Sequence, residues 1–320
     1  MSRGLATATL ARDRLGPVGV FVGIAGISSR ELLSFAREVE SLGFGALWVN
    51  EPVGGEPFSV LGALAVHTRR IGLGVGIASV YARDAFAAHA GARGLADLSG
   101  GRFVMGLGVS HRSSVGTRGH EYGPPLATMR AYLDAYDAVP SSPSAVDEPP
   151  LVLAALGPRM LALAATRATG AFPFLVTAKQ VNVARKTLDE AARSAGREDR
   201  PLLVTSLIAI LGSGSEIRDA ARATVARYLV QPAYRDNMLR AGFTTADLET
   251  VSDTLVDALV ATGDESALRS RVTGMHDAGA DHVAVLTLSA TGRHADLSTA
   301  RAVAPISSTS ETNSGWIDSR

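Results

Sequence analysis

The stretch that decides the fold reads IGLGVGIASVYARD (residues 71–84), AFAAHAGARGLADLSG (85–100) and GRFVMGLGVSH (101–111). It opens with an apolar run rich in Gly, Val and Ile that meets no charge before Arg83. A strand buried on both faces has this composition. The middle piece carries Phe86, Ala90, Leu95 and Leu98 at helical spacing and stops at Gly100-Gly101. Phe103 to Val109 reads as a second buried strand. Strand, helix and strand together imply two parallel strands joined by a right-handed crossover. A polar cluster follows each strand: Ser79, Tyr81 and Arg83 after the first, Ser110, His111 and Arg112 after the second. Parallel α/β folds bind ligands at the carboxyl ends of their strands, so these clusters mark where chemistry is expected.

The same alternation continues outward in both directions. A first strand (17–23) precedes a helix capped by Ser28 or Ser29 that runs to Leu42. A second strand (45–49) ends at Asn50-Glu51-Pro52, and Pro57 opens a helix through His67. Beyond the central unit come a polar loop (116–123), a helix from Pro124-Pro125, and a Pro- and Ser-rich surface connection (140–150). A fifth strand (151–155) leads into Gly157-Pro158-Arg159 at a helix start, and a sixth (171–176) ends at Thr177. A helix to about residue 195, a seventh strand (202–211) and a helix through Leu229 follow. Residues 231–262 read as purely helical, an insertion with no strand. A helix (264–278), an eighth strand (282–288) and a short helix (295–303) close the pattern. Eight strands alternating with helices favour an α/β fold of the closed (β/α)8 TIM-barrel type, with a helical insertion before the last strand. The expected organisation is a flexible arm (1–16), one barrel domain (17–304) and a Ser/Thr-rich disordered tail (305–320).

Composition narrows the function. Acidic and basic residues balance at 31 each, so no charge surplus points to nucleic acid or an anionic membrane. The chain has no cysteine, which excludes disulfides, thiolate nucleophiles and cysteine metal sites. Residues 1–16 lack the apolar core of a secretory signal, and no stretch approaches the roughly 20 apolar residues of a membrane span. The expectation is a soluble, cytoplasmic protein. No histidine or carboxylate cluster has ligand spacing, so no metal is expected.

A barrel brings the strand ends to one mouth: Asn50 and Glu51, Ser79 and Arg83, Ser110 and His111, Arg159, and Thr177. His111 can move a proton or bind an anion near neutral pH, or be a loop residue without a role. Glu51 can be a general acid/base if partly buried, or a plain capping carboxylate. Gly157 to Arg159 puts free amides beside a guanidinium, an anion site or an ordinary helix start. Gly74 and Gly76 within a strand mark either close approach of a flat ligand or tight packing inside the barrel. A Schiff-base lyase would need a lysine on a strand inside the barrel, and the chain's two lysines, Lys179 and Lys186, both fall on a helix.

Together, IGLGVGIASVYARD, LSGGRF, GLGVSH and GPRMLALAATRATGAFPFLVT resemble the bacterial luciferase-like superfamily, in particular its deazaflavin (coenzyme F420)-dependent oxidoreductases, over residues 17–290. The resemblance implies a TIM barrel with a flat deazaflavin across its mouth and hydride transfer between carbon 5 of that ring and a small organic substrate. It implies a non-proline cis peptide at Gly76-Ile77 behind the ring, with Ala78 and Ser79 beside it. Cofactor contacts map onto Asn50, Arg83, Gly108, Val109, Ser110 and His111, then Gly157, Pro158, Arg159, Val176 and Thr177. Arg83, Arg112 and Arg159 are candidates for the anionic tail. Where several relatives carry Asp-His at the end of the second strand, this chain has Asn50-Glu51, so Glu51 is the first candidate acid/base and His111 the second. A flavin mononucleotide (FMN)-dependent monooxygenase is the alternative within the superfamily, and a non-catalytic flavin- or deazaflavin-binding protein the alternative outside enzymes. Family members are often homodimers, and the helices after the second and third strands are the expected contact.

Overall fold

Every barrel strand is apolar on both faces, and each face has its own partner. The computed structural model describes residues 8–140 and 147–305. Its elements run α1 (Ala8–Leu15), β1 (Val18–Val22), α2 (Ser29–Ser41), β2 (Ala46–Val49), α3 (Pro57–His67), β3 (Gly72–Val75), β4 (Ala78–Ser79) and α4 (Ala85–Leu98). Then come β5 (Phe103–Gly108), α5 (Arg112–Thr117), α6 (Pro125–Asp137), β6 (Leu151–Leu153), α7 (Pro158–Arg167), β7 (Gly170–Ala171), α8 (Ala178–Ser194) and β8 (Leu202–Leu211). The chain continues through α9 (Ser215–Leu229), α10 (Pro232–Ala241), α11 (Thr245–Thr250), α12 (Asp253–Leu259), β9 (Val260–Gly263), α13 (Glu265–Asp277), β10 (His282–Leu288) and α14 (Leu297–Val303).

All strand pairings are parallel, and β10 pairs with both β1 and β8, which closes the sheet. Eight staves result, with β3 and β4 forming one stave on either side of a bulge. This is the (β/α)8 TIM barrel that the alternation predicts. Val18, Val20 and Val22 face the helices, while Phe21 faces inward, and the same alternation places Trp48, Val104, Ile208 and Leu286 inside. The apolar composition of the strands thus serves two cores, one within the barrel and one beneath the helices.

Three features differ from the sequence expectation. Residues 8–15, expected in a flexible arm, form α1, whose Ala8, Ala11 and Leu15 are fully buried with the barrel-interior residues. Arg12 holds it there, donating to Asp281 Oδ1 at 2.9 Å and to the Arg200 carbonyl at 2.7 Å. The insertion is not purely helical: β9 pairs with Ile208–Leu211 of β8. β8 is ten residues long and β7 pairs only with its first two, so β9 covers an edge that would otherwise be open. The sixth stave is shorter than expected, because Pro173 has no N–H for the ladder and the Leu175 N–H donates instead to Ser206 Oγ. Except for Pro305, the tail expected to be disordered lies outside the described residues, as do 141–146 of the Pro/Ser connection and residues 1–7.

At the amino-terminal end of the barrel, Trp48 Nε1 donates to His282 Nε2 at 3.0 Å, and His282 Nδ1 donates to the Gly16 carbonyl at 2.8 Å. His282 is therefore neutral, and burial holds its pKa down to about 4. The unfolded chain takes up this proton near the ordinary value of about 6.5, so the stability His282 provides is present above that value and is lost as pH falls toward 4. From about pH 7 to about pH 5, denaturant unfolding of the wild type should lose about 2 kcal/mol more than a His282→Gln variant. Equal losses in the two proteins would refute this role.

Candidate active site at the barrel mouth

β3 ends in a cis peptide between Gly76 and Ile77, at the position the resemblance indicates. Ile77 then packs over the neighbouring stave. A Cβ on Gly108 would lie 2.6 Å from the Ile77 side chain, and one on Gly106 would lie 2.1 Å from the Val75 carbonyl oxygen. The two β5 glycines therefore make room for the bulge. Gly74 and Gly76 serve packing: their Cβ atoms would strike Trp48 at 2.2 Å and Phe172 at 2.6 Å.

Past the bulge, β4 is tied to the end of β2. Glu51 is only 2% exposed and accepts three hydrogen bonds. Arg83 gives two of them, Nη2 to Oε1 at 2.6 Å and Nη1 to Oε2 at 3.1 Å, and the Ser79 N–H gives the third at 2.7 Å. Arg83 also lies 4.4 Å above the Phe58 ring. Both carboxylate oxygens of Glu51 are thus engaged, and Arg83 faces acidic partners rather than an open anion site. Asn50 accepts the Ile24 N–H at 3.0 Å, fixing the loop after β1.

Two residues past β5 stands Ser110, whose φ of 57° is unusual for a residue with a side chain and is the kind of outlier that marks functional loops. Its carbonyl accepts the Tyr122 hydroxyl at 3.3 Å. His111 follows, half-buried, its ring 5.2 Å from that of Tyr234 on α10. No hydrogen bond occupies either ring nitrogen among the described residues, and burial lowers the His111 pKa. Arg112 lies 5.3 Å over Tyr122. Across the mouth, Gly157 caps α7 in extended backbone with Pro158 in its first turn, and Arg159 is exposed beside it. Val176 is buried, and Thr177 caps α8 through a reciprocal pair of bonds with Gln180.

Sequence reasoning missed the aromatic lining. Aromatic residues make up only 5% of the chain, yet six of them form one column. From the barrel floor it runs Trp48, Phe172, Phe21, Phe174, Tyr234, with Tyr228 packed beside the last two, at centroid distances of 5.1–6.1 Å. Phe172 and Phe174 stand in the quoted motif AFPFLV, and Tyr228 at the end of α9 with Tyr234 at the start of the insertion were the available signal for the remainder. Burial pushes the Tyr228 pKa up to about 12 and raises that of Tyr234. Neither hydroxyl has a hydrogen-bond partner among the described residues. His294, also unassigned by sequence, reaches the mouth from the loop after β10 and accepts the Gly23 N–H at 3.3 Å through Nδ1.

The family described as luciferase-like monooxygenase matches residues 14–282. The chain belongs to this family. A 5,10-methylenetetrahydromethanopterin reductase of Methanolobus tindarius is 22% identical, covering 79% of this chain and 89% of its own. A Mycobacterium tuberculosis protein named as a coenzyme F420-dependent oxidoreductase is 26% identical, covering 78% and 89%. The solved coenzyme F420-dependent tetrahydromethanopterin reductase of Methanopyrus kandleri shares the fold with a TM-score of 0.70 at 20% identity, over 85% of this chain and 93% of that one. The mouth of this luciferase-like barrel suits a flat, partly polar ring. It offers an aromatic wall, with two tyrosyl hydroxyls and an imidazole that have no hydrogen-bond partner among the described residues. Among the described residues, no group of three or more His, Asp or Glu is arranged to hold a metal ion, and no helix is long and apolar enough to cross a membrane.

Because Arg83 is 15% exposed and Glu51 almost fully buried, removing the Glu51 charge leaves Arg83 with only the longer 3.4 Å contact to Glu56. Glu51→Gln should cost about 2–3 kcal/mol in denaturant unfolding, and adding Arg83→Met should recover about half of it. A loss below about 0.5 kcal/mol would show that the pair does not hold the rim.

Proposed function

We propose that the protein is an oxidoreductase that moves a hydride between a small organic substrate and coenzyme F420 at the barrel mouth. The observation that carries the reading is the partnerless polar set of His111, Tyr228 and Tyr234 on an aromatic wall above the bulge, in a family whose matched relatives include proteins named for coenzyme F420. When bound, the cofactor supplies or takes up the hydride. The protein binds, orients and handles the proton. Gly76, Ile77, Ala78 and Ser79 back the ring, and Asn50 orders the facing loop. Gly108, Val109, Ser110 and the stretch from Gly157 to Arg159 with Val176 and Thr177 line the path of the cofactor side chain. The carboxylate of Glu51 is occupied by Arg83 and the Ser79 N–H, which suits it to holding that rim. His111 has free ring nitrogens and is the better proton carrier of the two. The end of α9 and the insertion, which bear Tyr228 and Tyr234, exclude water and shape the substrate pocket.

We further read the protein as a soluble, cytoplasmic homodimer joined through α3 and α4. Val66 on α3 and Phe86 on α4 are exposed apolar side chains that such a contact would cover.

Fluorescence titration with coenzyme F420 and with FMN tests the cofactor. Saturable F420 binding about ten-fold or more tighter than FMN binding is expected. The reverse preference would make the protein a flavin monooxygenase, and binding of F420 without turnover on a broad panel of alcohols and carbonyl compounds would make it a binding protein. For the proton carrier, His111→Gln should lower kcat/KM by about 10²–10⁴-fold. Burial lowers the pKa of His111, so it stays neutral at pH 7 and accepts a proton there. Substrate oxidation should therefore fall with decreasing pH along a limb below about pH 6.5 that the variant lacks. An unchanged acid limb in the variant would assign the proton to another group.

A further inference from the structure

The mouth holds a second imidazole that the hydride reading does not use. Counting staves from β1, His111 follows the fourth and His294 the eighth, so the two stand on opposite sides of the opening. His294 is lodged over the end of β1. Gly23 lies two residues beyond the inward-facing Phe21 and so faces inward as well. A Cβ on Gly23 would lie 3.0 Å from His294 Cε1, so the ring occupies the space a side chain would take. The loop presenting the ring is braced. The Ser289 N–H donates to the Arg293 carbonyl at 3.0 Å, the Asp296 N–H to the Thr287 carbonyl at 3.1 Å, and Arg293 Nη2 to Glu31 Oε1 at 2.7 Å. Ala295, next in the chain, has a φ of 61°. Among the described residues four non-glycine residues have positive φ, and two of them, Ser110 and Ala295, adjoin the two mouth histidines.

A backbone amide sets the tautomer of His294. The Gly23 N–H donates to Nδ1 at 3.3 Å, so Nδ1 carries no proton and the neutral ring keeps its hydrogen on Nε2. Burial lowers the pKa, and the Arg227 guanidinium lowers it further, so the ring is neutral at pH 7. Nothing among the described residues accepts the Nε2–H, and the atom is not sealed from solvent. His294 is thus a fixed, open N–H donor. Its other nitrogen is spent, which leaves it without the acceptor that a proton carrier needs. Water satisfies such a donor in the free protein. A substrate that expels this water must bring an acceptor of its own or leave the donor bare.

We propose that His294 is a specificity-determining residue whose Nε2–H holds a second oxygen of the substrate, remote from the carbon that exchanges hydride. The preferred substrates are then hydroxycarbonyl compounds rather than simple alcohols. The proposal rests on the hydride-transfer reading above and adds the substrate class. The oxygen on the reacting carbon meets His111, and the second oxygen meets His294 on the far side. Phe21, Phe174 and Tyr228 give the carbons between them an apolar floor.

Initial rates with coenzyme F420 are measured for hydroxyketones whose two oxygens stand progressively further apart, beginning with acetoin. Each is set against the secondary alcohol of the same carbon skeleton, beginning with sec-butanol. At one separation the wild type should favour the hydroxyketone by about ten-fold or more in kcat/KM. His294→Leu should bring that ratio to about one, and His294→Gln, which keeps an N–H donor, should recover most of it. The ratio cancels any general loss of active protein. Long-range proton–nitrogen NMR of the wild type reads the ring without turnover: at pH 7 the hydrogen should sit on Nε2, and the hydroxyketone, not the alcohol, should shift the Nε2 resonance. If nothing turns over, the hydride reading fails, and the Nε2 resonance alone decides the donor. A wild-type ratio near one across the series, a ratio unchanged in His294→Leu, a ring protonated on Nδ1 or charged at pH 7, or an Nε2 resonance that ignores the hydroxyketone overturns the proposal.

Discussion

The indole N–H of Trp48 donates to the neutral ring of His282, and the interior of the barrel is built upward from that bond. Trp48 is the largest fully buried side chain, and it fits because Gly74 on the adjacent stave has no Cβ to meet it. Phe172 then stacks edge-on against the indole, and Phe21 against Phe172, in space left by Gly76. Each ring rests on the one below, until Phe174 and Tyr234 pass the column to the mouth. Close packing makes this order consequential: a shift at the floor has no void in which to dissipate and reaches the site. The same bond requires His282 to stay uncharged, so the floor of the site and the acid sensitivity of the fold have one origin.

The rim has a different physical basis. Glu51 and Arg83 are two charges withdrawn from water, and they stay ionised because each satisfies the other and Ser79 supplies an additional N–H. Their pair joins the end of β2 to β4 across the bulge and engages both carboxylate oxygens of Glu51. At the mouth and on its flank, groups without a hydrogen-bond partner among the described residues include His111 after β5, Tyr228 and Tyr234 on α9 and α10, and the buried Asn237 Nδ2. Three of these four belong to the segment after β8.

Much of this was legible from residue order. Buried parallel strands announce themselves as unbroken Gly/Val/Ile runs, and the crossovers between them as amphipathic spacing. The eight staves and the positions of Asn50, Glu51, Ser79 and His111 at or just past strand ends follow from those signals, whereas Thr177, expected at the end of the sixth strand, caps α8 six residues beyond it. The site was harder to read. Glu51 stood as a candidate acid/base because a carboxylate at a strand end invites that role, and its engagement by Arg83, 32 positions along the chain, depends on the β2–β3 register. Gly74 and Gly76 suggested ligand approach or packing equally, and the answer was the position of Trp48 and Phe172 on other staves. The arm before residue 17 looked frayed because α1 carries few large apolar residues. Its small buried face of Ala8, Ala11 and Leu15 gains meaning only from the barrel end it covers.

Composition and periodicity, which are properties of contiguous residues, determined the fold class, the order of the elements and the end of the barrel that faces ligand. Parallel strands bury both faces wherever they occur, so that information needs no partner. Tertiary structure decided which polar groups are paired and which remain free. That depends on side chains brought together from different staves, Trp48 with His282 and Glu51 with Arg83, and on the placement of α10 against α8. Hydrogen-bond saturation is a property of the assembled neighbourhood, and it separates the residues that hold this barrel together from those able to act on a ligand.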